Sequence, residues 1–81
     1  EKQLFYDSKT NLQELIQGKL KKEFHYVLVE ETGPEHDKVF FVEIVMEDEV
    51  IGKGQGRTKK AAEQEAAYEA LLLLRERGIR K

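Results

Sequence analysis

The chain has 81 residues, 40% of them apolar and 37% charged, with a net charge of −2 and no cysteine. That length suits one domain with a modest core, since folding at this size buries only about 60% of the unfolded surface. The missing cysteines exclude disulfides and thiolate metal sites and suit a reducing cytosol; no signal peptide is expected, and no apolar run approaches the roughly 20 residues of a membrane span. The chain opens on Glu1 rather than Met and reads as a fragment.

Residues 1–6 form a lead-in or linker remnant in which Leu4, Phe5 and Tyr6 could staple a following helix. Asp7 is placed to cap that helix, and Leu12, Leu15, Ile16 and Leu20 recur at helical spacing as its buried stripe. Gly18 interrupts the pattern at a cost of about 1 kcal/mol relative to Ala. Thr10, Gln13, Glu14 and Gln17 fall in one polar arc about 100° wide, which by itself is an ordinary solvated face. "FHYVLVEET" (24–32) predicts a strand, "TGPE" a turn at Gly33 and the only proline, Pro34, and "VFFVEIVM" (39–46) a second strand. "EDE" (47–49) is a polar turn and residues 50–53 a short third strand. A second helix runs from Thr58 to about Arg75, with Ala62, Ala66, Ala70 and Leu73 as its buried stripe and Gly78 to end it. The expected fold is α+β, in the order α-β-β-β-α: a three-stranded antiparallel sheet with two helices packed on one face. The domain covers 7–75, and 76–81 is a tail.

The charge is unevenly distributed. From Val50 to Ala62 there is no acid, yet Lys53, Arg57, Lys59 and Lys60 all lie there. Lysines at a helix N-terminus oppose the helix dipole, at roughly 0.3–1 kcal/mol each. As an anion site the same arrangement is favourable, because the helix start already offers N–H groups and positive potential. Thr58 as the cap, with Arg57, Lys59 and Lys60 around it, suits a phosphate backbone.

Other chemistries fit poorly. Gly52, Gly54 and Gly56 make G-x-G-x-G, which is neither phosphate-loop spacing, and they serve equally to relieve a strand-to-helix bend. His25 and His36 lack metal-ligand spacing, and Ser8 is the only serine. Most of the carboxylates sit on helix faces and turns, so no catalytic site and no cofactor are expected. A single-strand binder would want exposed aromatic platforms, whereas Phe24, Tyr26, Phe40 and Phe41 lie mostly in strands or beside the first helix, and some of them must build the small core. Glu14 in the polar arc repels phosphate but can accept a hydrogen bond from a ribose 2′-hydroxyl, which favours RNA read from its wide minor groove.

"DSKTNLQE" (7–14), "GPEH" (33–36), "FFVEI" (40–44) and "GKGQGRTKKAAEQEAAYEAL" (52–71) stand in an order and spacing that resemble the double-stranded RNA-binding domain. The resemblance is closest to the C-terminal domain of bacterial ribonuclease III, covers residues 7 to 74, and is most specific in its last block. It implies that Thr10, Gln13, Glu14 and Gln17 face one minor groove and that Pro34 and His36 enter the next. Arg57, Thr58, Lys59 and Lys60 would then straddle the major-groove phosphates between them. It also implies a parent that is a cytoplasmic, homodimeric, Mg²⁺-dependent endonuclease for rRNA and mRNA precursors, whose metal carboxylates lie outside this sequence. Thr58 stands where serine is commoner and keeps the capping hydroxyl; Glu63 stands where many relatives carry lysine. A protein-interaction module of the same fold, without RNA binding, is the alternative.

Overall fold

A computed structural model describes residues 7–79. The staple expected at Leu4, Phe5 and Tyr6 and the last two tail residues, Arg80 and Lys81, lie outside the described residues.

The first helix, α1 (Ser8–Leu15), continues into a wider π-helical turn, Ile16–Leu20. There the amide of Lys21 donates to the carbonyl of Ile16 at 2.6 Å, five residues back, and Lys21 leaves the helix in the left-handed region at φ 55°. Asp7 sits at the N-cap position, but its side chain makes no capping bond there, contrary to expectation. Its φ/ψ of −100°/16° is not the extended conformation that aims a cap carboxylate at the first amides. Leu12, Leu15 and Ile16 are buried and Leu20 packs beside them, so the helical stripe holds through the change of pitch.

Strands β1 (Phe24–Thr32), β2 (Val39–Met46) and β3 (Glu49–Gly56) form an antiparallel sheet in that order. Val42, Ile44 and Met46 of β2 point into the core, while the alternate residues Phe41, Glu43 and Val45 are half-buried on the face away from the helices. Phe24, Tyr26 and Phe40 pack against the core's margin, so its centre is aliphatic and alanine-rich. A bulge between Leu28 and Glu30 marks where β1 leaves the core, and residues from Leu28 onward are exposed. The β2–β3 turn is two residues, Glu47 and Asp48, both at positive φ (51° and 68°), a combination that suits a two-residue hairpin. Glu49 therefore belongs to the strand rather than the turn.

The second helix, α2 (Lys59–Glu76), lies across β3 and β2 and against α1. Its buried stripe is Ala62, Ala66, Ala67, Ala70, Leu71 and Leu74. Leu74 is fully buried and Leu73 only partly, because the stripe continues at i+4 from Ala70. The helix ends as expected at Gly78 (φ 84°): the amides of Gly78 and Ile79 return to the carbonyls of Arg75 and Leu74 at 3.0 and 2.9 Å.

The third strand is twice as long as expected and absorbs the glycines. An added Cβ at Gly52 would lie 2.3 Å from the carbonyl oxygen of Ala66, and one at Gly54 would lie 2.3 Å from both the Ala62 oxygen and the Ala66 nitrogen. These residues therefore do not relieve a bend. They let the helix backbone rest on the strand backbone, glycine against alanine.

Candidate nucleic-acid interface

Gly56 is the last residue of β3, and two residues later Thr58 caps α2. Thr58 is extended (φ −134°, ψ 159°), and its Oγ1 accepts from the Ala61 amide at 3.0 Å while its carbonyl accepts from Ala62. Lys59 and Lys60 follow as the first helical residues, both exposed, with no acid in the first turn. Among the described residues, neither lysine makes an ion pair, whereas Lys9, Lys22, Lys38, Lys53, Arg57 and Arg77 all do. Two uncommitted ammonium groups therefore sit at the positive end of an 18-residue helix.

Arg57 immediately precedes the Thr58 cap. It is exposed, but its Nη1 donates to Oδ1 of Asp37 at 2.5 Å. One nitrogen of a group with five N–H donors is thereby engaged. The contact joins the start of α2 to the β1–β2 loop.

That loop is closed on itself. Gly33 at φ 91° lets the chain fold back so that an added Cβ would lie 2.3 Å from the Asp37 carbonyl oxygen. Pro34 is extended, and its carbonyl accepts from the Asp37 amide at 2.9 Å across a short 3₁₀ turn, Glu35–Asp37. Pro34 and His36 are both exposed on this turn.

Thr10, Gln13, Glu14 and Gln17 are exposed along α1 and its π-helical extension, opposite the stripe of Leu12, Leu15 and Ile16. The start of α1 is fastened to α2: Lys9 Nζ meets Glu63 at 2.5 Å, and the Lys9 amide donates to Gln64 Oε1 at 3.2 Å. The Lys9 ammonium also lies 5.3 Å from the centre of the Tyr26 ring. Burial, and secondarily the charge of Glu63, push the Tyr26 hydroxyl up to about 12. All ten residues singled out in the sequence are thus exposed, on three segments tied together by the Lys9–Glu63 and Asp37–Arg57 contacts. Lys9 and Asp37, which help join those segments, were not singled out, and Glu63 was noted only as an acid where relatives carry lysine, because nothing local marks an acid or a lysine as a cross-link.

A groove runs between β3 and α2, lined by Val50, Ile51, Lys53, Glu65, Glu69 and Leu73, and a second shallow one lies near Lys22, His25 and Glu47. Neither contains any of the ten residues.

Residues 8–74 match the family described as the double-stranded RNA binding motif. Proteins named Ribonuclease 3 from Streptococcus pneumoniae strains Hungary19A-6, CGSP14 and JJA are each 52% identical to the chain over 69 residues, or 85% of its length. The chain spans 30% of the length of these relatives. It belongs to the double-stranded RNA-binding motif family.

Proposed function

We propose that this member of the double-stranded RNA-binding motif family is the substrate-binding module of a ribonuclease III and grips duplex RNA by shape at three points. Thr10, Gln13, Glu14 and Gln17 contact 2′-hydroxyls in one minor groove, and Pro34 and His36 contact those of the next. Arg57, Thr58, Lys59 and Lys60 lie across the phosphates of the major groove between, within the roughly 16 base pairs that such domains span. The observation that carries this reading is the pair of exposed lysines opening α2 behind the Thr58 cap, an arrangement that costs helix stability unless an anion is bound.

The domain itself does no chemistry and holds no cofactor in this reading. The remainder of the parent supplies a Mg²⁺-dependent nuclease that cuts rRNA and mRNA precursors in the cytoplasm and dimerises through that nuclease part. The acidic net charge of −2 makes the isolated module a modest binder, and a tethered second module would raise its effective concentration.

A titration with an RNA duplex of about 20 base pairs, against the same sequence as DNA and at low and moderate salt, tests the reading. Salt-sensitive binding that prefers RNA supports it. No binding to RNA even at low salt would favour a protein-interaction module of the same fold.

A further inference from the structure

We propose that Asp37 is a positioning residue for duplex RNA: by holding the Arg57 guanidinium it locks the β1–β2 loop to the start of α2. The inference rests on the reading of function above and adds to it a residue outside the three contact groups.

Asp37 lies beside His36 at the base of the loop, and Arg57 lies beside the Thr58 cap, 20 residues away in sequence. The backbone pairing of β2 with β3 ends at Phe40 and Gly56. Beyond that point no strand hydrogen bond among the described residues ties the loop to the helix, and the 2.5 Å contact of Asp37 with Arg57 spans the gap. The loop is internally fixed by the Asp37–Pro34 hydrogen bond and by the Gly33 fold-back onto the Asp37 carbonyl. Restraining Asp37 therefore restrains the whole turn that presents Pro34 and His36.

The pair is well exposed, 77% at Arg57 and 51% at Asp37. Exposed ion pairs add little to folding stability, so the fold gives small reason for this one. A carboxylate beside a phosphate-binding cluster also repels a polyanion. Plain electrostatics thus predicts that removing Asp37 strengthens RNA binding. Positioning predicts the opposite, because the loop and the lysines must meet adjacent grooves at one fixed spacing, and a restraint present before binding lowers the ordering cost.

The test is a double-mutant cycle of Asp37→Ala and Arg57→Ala, read as affinity for an RNA duplex of about 20 base pairs, with melting temperature measured alongside. Asp37→Ala is expected to weaken binding about fivefold in the native background, the upper range for an exposed pair, and by less than about 1.5-fold when Arg57 is already alanine. Asp37→Asn, which keeps an oxygen to accept from the guanidinium, should restore most of the affinity. Unchanged or tighter binding by Asp37→Ala would overturn the proposal, and so would an equal loss in both backgrounds with a fall in melting temperature. If the native chain itself fails to bind the duplex, the functional reading falls first and this inference with it.

Discussion

Lys9, at the start of the first helix, reaches across the fold to Glu63 on the second and closes a 2.5 Å ion pair there. The same residue's amide bonds Gln64, and its ammonium stands over the Tyr26 ring. Glu63 thus works inside the protein, orienting the helix that carries Thr10 and Gln13 against the helix that carries Lys59 and Lys60.

The two partners are about one-third exposed, 37% and 27%, so the pair should stabilise more than a free surface bridge and less than a buried one. A double-mutant cycle of Lys9→Ala and Glu63→Ala in urea unfolding should give a coupling energy of about 1 kcal/mol. A coupling indistinguishable from zero would mean that the two helices are oriented by the apolar core alone.

The Tyr26 hydroxyl, raised from 10.0 to about 12, makes stability depend on alkaline pH. The folded state holds this proton more tightly than the unfolded state. The stabilisation is therefore complete below about pH 10 and is lost as the pH climbs toward about 12. Tyr26→Phe should remove that part of the alkaline decline. Difference absorbance between the two proteins should show the Tyr26 phenolate only near the upper end of the window; its appearance near pH 10 would contradict the placement of Tyr26.

Two glycines should respond oppositely to the same change. Gly54→Ala drives a methyl into the backbone of α2 at 2.3 Å, where neither Ala62 nor Ala66 can yield without moving the helix. A loss of about 3 kcal/mol or more is expected, at or above the upper end for overpacking. At Gly18 an added Cβ meets nothing within 4 Å, and the backbone there is helical. Gly18→Ala should stabilise by about 0.4–1 kcal/mol through the unfolded chain. Chemical denaturation of both variants checks the pair.

Much of this fold was legible because its signals are local. The β-branched runs at 24–32 and 39–46 marked two strands to the residue, and Thr58 and Gly78 marked the ends of α2. The second half of β3 was not legible, because Gly52, Gly54 and Gly56 carry no side chains to alternate; only the helix lying on them reveals why they are there. The π-helical turn after Leu15 depends on a shift of one hydrogen-bond partner and leaves no trace in composition. Exposure of Thr10, Gln13, Glu14 and Gln17 followed from amphipathic spacing, and that of His36 from the turn at Gly33 and Pro34. The ion pairs that brace them did not, since Lys9 and Glu63 are 54 positions apart and the chain offers 16 acids to choose from.

The most direct test of the whole account is the double variant Lys59→Ala with Lys60→Ala, measured for melting temperature and for duplex RNA affinity across a salt series. Relief of two cations at a helix N-terminus should leave stability equal or slightly higher. Binding should fall sharply, and the slope of log affinity against log salt should shrink by up to about 1.8, using the coefficient for duplex DNA as a guide. Clear destabilisation with unchanged RNA affinity and salt slope would contradict the account and assign the lysines to the fold.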